Sequence, residues 1–317
     1  MADIPAFTLN RKTMENFTLL DVLVSPDNGQ PLHIDAATGQ LLDHSGAFSY
    51  ARVEGVPVLL PQNAQERFAK PEAFKQFNTP FYYVTHYQTD AEAFDYFEIP
   101  ESAAERHENR RLHEAIMAET PDAAKRILDV GCGNAWVAQH YCPLGVAVFS
   151  MDISTVNPVK AIKNYPYDRH YGVVADVYAL PFREGTFDCI IAAEIIEHVP
   201  DPAAFIRCLL GVLKPGGTLI VTTPYNEKIV YTLCIHCNRP TPMHAHLHAF
   251  TESKILDLLP GDRRLKSNAY AFHSKVLSRL HLHVLLQYLP FALWRTIDNL
   301  VNRILFKPSR LLLKVVK

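Results

Sequence analysis

RILDVGCGN, residues 126–134, sets an apolar five-residue run directly before two glycines spaced two apart, with AWVAQHY following at helical spacing. A strand that empties into such a turn lets backbone approach a ligand closely. Gly131 and Gly133 lack the Cβ atoms that would stand in the way and reach φ angles closed to most residues, and the helix behind them opens with N–H groups that have no intrahelical partner. A dinucleotide fingerprint asks for a third small residue at position 136, where helix and strand close up beneath a pyrophosphate. Trp136 stands there instead. The turn therefore points away from NAD- and FAD-type ligands, toward one without a pyrophosphate.

Outward from this turn, apolar runs alternate with helical spacing. Candidate strands lie at 126–130, 146–151, 172–175, 187–192 and 218–222, and candidate helices at 135–141, 156–164 and 202–213. This is the pattern of βαβ units in a parallel sheet. Asp201-Pro202 gives the third helix an N-cap followed by proline at its first position. A further helix is expected over 251–259, and LLLKVVK at the end reads as the last strand. Asp152, in VFSMDIS, ends the second strand about twenty residues after the glycine turn, where a carboxylate can accept both hydrogen bonds of a ribose diol. Asp176, in VVADVYALPF, ends the third and can meet the exocyclic amine of an adenine. Glycine turn, ribose acceptor and adenine acceptor at three successive strand ends point to an adenosine-containing cofactor.

ILDVGCGN, MDIS, ADVYALPFREGTFDCIIAAEIIEHV and LKPGGTLIVTTP together resemble the class I S-adenosylmethionine-dependent methyltransferases of the type 11 family, over roughly residues 125–259. The resemblance implies an α/β fold, a Rossmann-like doubly wound and mostly parallel seven-stranded sheet. It also implies that Asp129, Gly131 and Gly133 hold the methionine part of S-adenosylmethionine, Asp152 with Ile153 the ribose, Asp176 with Val177 the adenine, and that Glu194 lies beside the sulfonium. Lys214-Pro215-Gly216-Gly217 reads as the turn into strand five. A sulfonium methyl is already electrophilic, so the protein mainly has to align a nucleophile with it and exclude water. For a hydroxyl acceptor a general base helps, and Glu197, His198, His246 and His248 are the candidates.

YTLCIHCNRPTPMHAHLHAF holds Cys234 and Cys237 as C-x-x-C, with His244, His246 and His248 following. Cys234, Cys237, His246 and His248 can in principle form a tetrahedral zinc site. The competing reading is that HLHAF shapes the acceptor pocket without metal, as the family resemblance implies.

The chain divides into three parts: 1–61, 62–124 and 125–317. The first is β-rich, and LLDVLVSPDNGQPL with AFSYARVEGVPVLLP resembles the Trm112-like zinc-ribbon family. Ser25, Asn28, Asp43 and Gly46 occupy the places of its four cysteines, so the thiolate site cannot form. The second is a helix-prone connector whose Tyr82, Tyr83, Tyr87 and Tyr96 either cover the next domain or line its mouth. Within the third, residues 275–308 read as a helical insertion: a lid over the acceptor site, or an interfacial helix touching anionic lipid.

In a chain of 317 residues, 48% hydrophobic with a net charge of −2, a full core is available and nothing suggests a nucleic-acid footprint. The charge is uneven: from Lys275 onward eight basic residues face Asp298 alone, which leaves the body acidic. The opening residues lack a signal-peptide pattern, the longest apolar stretch is too short for a transmembrane helix, and six cysteines follow no disulfide framework. The expectation is a cytoplasmic protein, with peripheral contact at the inner face of the membrane as an option. It is expected to act on a small-molecule or lipid-linked acceptor; the alternative is a modifier or scaffold that engages tRNA or protein through residues 1–61.

Overall fold

The computed structural model describes residues 17–62, 64, 81–235 and 238–317. Five short strands come first: β1 (Leu32–Ile34), β2 (Leu41–Asp43), β3 (Ser49–Tyr50), β4 (Arg52–Val53) and β5 (Val56–Leu59). Two helices follow, α1 (Tyr83–Ala93) and α2 (Ala103–Glu119). Then strand and helix alternate: β6 (Arg126–Val130), α3 (Trp136–Tyr141), β7 (Ala147–Asp152), α4 (Val156–Asn164), β8 (His170–Ala175), β9 (Phe187–Ala193), α5 (Pro202–Val212) and β10 (Leu213–Pro224). A small hairpin, β11 (Tyr231–Leu233) with β12 (Pro240–Pro242), precedes α6 (Glu252–Leu256) and β13 (Lys266–Ser274). The helices α7 (Lys275–Arg279), α8 (His283–Leu286) and α9 (Phe291–Ile304) form the insertion before β14 (Pro308–Val316).

The fold is Rossmann-like. The main sheet runs β13-β14-β10-β9-β6-β7-β8-β5-β4, parallel from β10 through β5, with β14 antiparallel to both its neighbours. It has nine strands rather than the expected seven. The two additions are β5, which pairs in parallel with β8 through Val58 opposite Val174 and Leu59 opposite Ala175, and its hairpin partner β4. Residues 52–59 thereby join the sheet built by the strands that follow.

Alternation along the strands explains why helices cover both faces. In β6, Leu128 and Val130 join a core with Phe149, Phe187 and, from α5, Phe205 and Leu209; Ile127 points the other way, to Ile116 of α2, Val137 of α3 and Trp294 of α9. A strand buried on both faces is rich in apolar residues, and β6 supplies Ile127, Leu128 and Val130, with the buried Asp129 near its carboxyl end. Asp201 caps α5 as anticipated, its side chain accepting from Ala204 N, with Pro202 next.

Hydrogen bonds knit the four ribbon positions together. Ser25 Oγ lies 2.7 Å from the Tyr50 hydroxyl, which itself donates to Asp27, and Asn28 Nδ2 donates to Asp43 Oδ2 at 2.8 Å. The Gly46 N–H reaches the Asp43 carbonyl at 3.0 Å. Ser45 and the Phe48 N–H also donate to the Asp43 carboxylate and hold its pKa below the usual range. A polar knot thus joins these loops.

Because β5 is integral to the sheet, Leu59→Ala, at a fully buried position, should cost about 2–5 kcal/mol in urea denaturation followed by circular dichroism. A loss well under 1 kcal/mol would show that β5 is not part of the folded core.

Candidate active site

The order of the parallel strands reverses between β6 and β9, and at such a switch point open α/β sheets form a ligand crevice beyond the carboxyl ends of the strands. Gly131 and Gly133 lie at its floor, with φ of +66° and +46°. The turn is fastened to the adjacent strand, since the N–H groups of Gly131 and Cys132 both donate to the Met151 carbonyl, at 2.8 and 3.0 Å. A Cβ on Gly131 would stand 2.2 Å from Ile195 Cδ1; one on Gly133 would make ordinary contacts, with the Tyr96 ring at 3.8 Å and the Gly131 carbonyl at 4.0 Å. The first glycine is thus required by contact as well as by conformation. Ala135, at φ +54°, turns the chain into α3.

Three carboxylates stand round this turn. Asp129 is buried, and its Oδ2 has no hydrogen-bond partner among the described residues. Burial, and then the neighbouring Asp152, push its pKa well up. Asp152 accepts from Ser154 N at 2.9 Å and Asn157 Nδ2 at 3.0 Å, and burial outweighs these bonds to raise its pKa as well. Asp176 accepts from Tyr178 N and from the Tyr83 hydroxyl, at 2.9 and 2.5 Å. Val177 opens the short turn behind it, and Ile153 packs with Phe81, Tyr83 and Tyr87. A buried orphan acceptor beside a cradle that a Cβ would fill fits a ligand bearing an ammonium group, as the methionine part of S-adenosylmethionine does.

Helix α1 crosses the mouth. Besides the Tyr83 contact, the Tyr87 hydroxyl donates to the His198 carbonyl at 3.3 Å, and Gln88 Oε1 accepts from Thr155 N at 2.8 Å. Of the four connector tyrosines, Tyr83 and Tyr87 thus tie α1 to the segments after β8 and β9, while Tyr82 and Tyr96 are exposed.

On the far side, Glu194 is held at φ +57°, its Oε2 paired with Arg310 Nη1 at 2.8 Å and its Oε1 buried without a partner among the described residues. Burial raises its pKa against the pull of Arg310. Glu197 is buried and accepts from Thr223 Oγ1 at 3.0 Å; burial, then Glu194, hold its pKa well up. Its carbonyl accepts from the N–H groups of Leu247 and His248, so the histidine loop is pinned against this corner. His198 and His246 meet there edge to face, centroids 4.7 Å apart. Burial brings the His198 pKa down to about 3, so that ring is neutral at physiological pH. His246 Nδ1 lies 2.5 Å from Glu227 Oε2. His248 is differently placed, its Nε2 donating to the Val199 carbonyl at 3.0 Å, a structural tie rather than a free base.

Of the four residues expected as a zinc set, the described Cys234, His246 and His248 do not come together as a group of metal-capable donors. Among the described residues, the metal-capable group is Glu197, His198 and His246, with donor atoms within 4.8 Å of one another. Cys234 lies outside that group, in the β11–β12 hairpin, where its N–H donates to the Arg239 carbonyl. Cys237 falls outside the described residues. Two partners in the site, Glu227 and Arg310, were not foreseen. Glu227 carried a local signal, a carboxylate three residues beyond the carboxyl end of strand five. Arg310 carried none, because it arrives through the antiparallel register of Arg310 with Pro224.

A glycine turn at the switch point with acidic residues at three successive strand ends defines a class I S-adenosylmethionine-dependent methyltransferase. A family model described as "Methyltransferase domain" matches residues 102–261, half of the chain, and the chain belongs to that family. It is similar to the ubiquinone biosynthesis O-methyltransferase of Xanthomonas axonopodis pv. citri (strain 306), 32% identical over 126 residues that cover 38% of this chain and 52% of that protein. It is also similar to the mitochondrial protein of that name from Homo sapiens, 33% identical over 121 residues, covering 36% of this chain and 33% of that protein. The chain thus spans about half or less of the length of these curated relatives. Among solved structures it is similar to the [4+2]-cyclase SpnF, with a TM-score of 0.49 and 19% identity over 74% of this chain and 92% of that one. An S-adenosylmethionine-dependent methyltransferase from Mesorhizobium loti gives a TM-score of 0.46 and 17% identity over 67% and 100%.

Gly131→Ala should lower stability by about 1–3 kcal/mol through its positive φ and its contact with Ile195, read by chemical denaturation. Adding Ile195→Ala should recover the contact part of that loss and leave the conformational part. An unaltered midpoint in the single variant would contradict the close approach.

Proposed function

We propose that the chain methylates a hydroxyl oxygen of a small-molecule or lipid-linked acceptor, with His246 as general base and Glu227 as the residue that orients it. The observation that carries this reading is the Glu227–His246 contact at 2.5 Å. A carboxylate can only accept, so imidazole Nδ1 holds the proton and Nε2 keeps its lone pair for the acceptor hydroxyl. A base held in one tautomer by a carboxylate is the arrangement that activates hydroxyl nucleophiles in other enzymes.

S-adenosylmethionine supplies the electrophilic methyl group on a sulfonium sulfur. Asp129, Gly131 and Gly133 would hold its methionine part, Asp152 and Ile153 the ribose, and Asp176 and Val177 the adenine, with Glu194 close to the positive centre. Glu194, Glu197 and Arg310 together set the charge in which the acceptor is bound. His246 Nε2 would take the proton from the acceptor hydroxyl as that oxygen becomes the nucleophile. Helix α1, through Tyr83 and Tyr87, keeps water from the crevice. The ubiquinone-biosynthesis relatives, named as O-methyltransferases, support an oxygen acceptor.

With a catechol as acceptor, His246→Ala should lower kcat by about 10²- to 10⁴-fold while S-adenosylhomocysteine binding by calorimetry stays unchanged. Glu227→Gln should lower kcat less and leave binding alone. Unchanged kcat in both variants would exclude His246 as the base.

A further inference from the structure

Helix α9 is amphipathic in the inverted sense. Its inward face carries Trp294, Asp298 and Asn302, all buried. Asp298 accepts from the N–H groups of His273 and Ser274 at 2.8 and 2.6 Å, and Asn302 Nδ2 donates to it at 3.3 Å. The polar residues therefore anchor the helix to the end of β13. Leu293, Ile297, Leu300 and Ile304 follow the spacing of a single stripe, an arc of roughly 60° at 3.6 residues per turn, and that stripe points away from the body. Leu300 is 57% and Ile304 73% exposed, and the chain continues outward through exposed Leu305 and Phe306. The preceding helices add Leu280, Val284, Leu285 and Tyr288, the last 81% exposed.

This display is held firmly in place. Arg111, fully buried, donates through Nη2 to the carbonyls of Leu286 and Leu289 at 2.6 and 2.9 Å, and its guanidinium lies 5.0 Å from the centroid of the Trp294 ring. Arg110 donates to the Gln287 carbonyl at 2.6 Å. At the neck of the insertion, Lys275 N donates to the Lys307 carbonyl at 2.8 Å. A pre-ordered surface gives up little conformational freedom when it binds.

The charges around the stripe are of one sign. Between Lys275 and Lys307 the exposed ionised side chains are Lys275, Arg279, Arg303 and Lys307; Arg295 is paired with Glu119, and the only acid, Asp298, is buried. We infer that residues 275–307 form a docking surface for an anionic lipid bilayer, with the outward stripe of α9 in the acyl–headgroup boundary and the four cations against lipid phosphates. The inference does not depend on the acceptor proposed above. An apolar stripe flanked by lysine and arginine is what an interfacial helix requires, and the cations add attraction to negatively charged headgroups. A second copy seated face to face would set these cations against their own kind. Nor does the surface demand a crossing, since no helix among the described residues is long and apolar enough to span a membrane.

Flotation of the full chain with vesicles tests this, using phosphatidylglycerol mixed with phosphatidylcholine against phosphatidylcholine alone. Binding at least ~10-fold stronger to the anionic vesicles, and weakened by salt, is expected from the cation count. Leu300→Glu/Ile304→Glu and Arg303→Glu/Lys307→Glu should each abolish flotation while leaving S-adenosylhomocysteine binding and the circular dichroism spectrum unchanged, which separates lost docking from lost folding. Absence of flotation by the intact chain, equal binding to both vesicle types, or flotation that persists in both double variants would overturn the inference. A dimer in solution that Leu300→Glu/Ile304→Glu converts to monomer would assign the face to a second copy and overturn it equally.

Discussion

The site depends on one bifurcated contact, the Met151 carbonyl accepting from both Gly131 N–H and Cys132 N–H. It locks the end of β6 to the end of β7 just where the chain must turn. With that lock in place, Asp129 and Asp152 leave neighbouring strands near the turn, and burial, with Asp152 adding to it, pushes the Asp129 carboxyl up. Two buried carboxylates held together are costly unless something with hydrogen-bond donors and positive charge arrives between them. Burial at this turn therefore favours a ligand that brings hydrogen-bond donors and positive charge. The fold tolerates the arrangement because β6 and β7 are buried on both faces and cannot yield.

Besides Glu194, Glu197 and His198, which follow β9, the groups placed above this floor come from outside the central alternation of strand and helix. Tyr83 and Tyr87 arrive on α1, Arg310 on the antiparallel β14, and His246 and Glu227 on the long connection after β10. This division suits the chemistry. The parallel strands supply a cofactor platform that needs rigidity, while irregular connections supply acceptor-side groups that vary with substrate. The insertion carries the same logic one layer outward, with its polar side chains spent on anchoring and its apolar ones turned to the outside.

Local pattern made the platform readable in the sequence. VFSMD and VVAD each announce a buried strand ending in an acid and RILDV one with its acid next to last, and Trp136 alone was enough to turn the reading away from dinucleotides. Strand five extends further than expected, from Leu213 rather than Thr218, because the Lys214–Gly217 turn remains within the ladder as an irregularity. The parallel docking of β5 on β8 was hidden, since a contact over more than a hundred residues leaves no periodic trace. The histidines show the same limit from the other side. Their alternate spacing promised equivalent roles, yet His246 finds Glu227 and His248 finds a backbone carbonyl, a distinction fixed by tertiary packing and by no neighbour in sequence.

The most direct measurement is titration calorimetry of S-adenosylhomocysteine into the intact chain and into Asp152→Asn. If the strand-end carboxylates form the adenosine site, the intact chain binds with one-to-one stoichiometry and the folded variant binds about 10- to 100-fold more weakly, the loss of charge-assisted hydrogen bonds to the ribose. No binding by the intact chain, or equal affinity in the two, would contradict it.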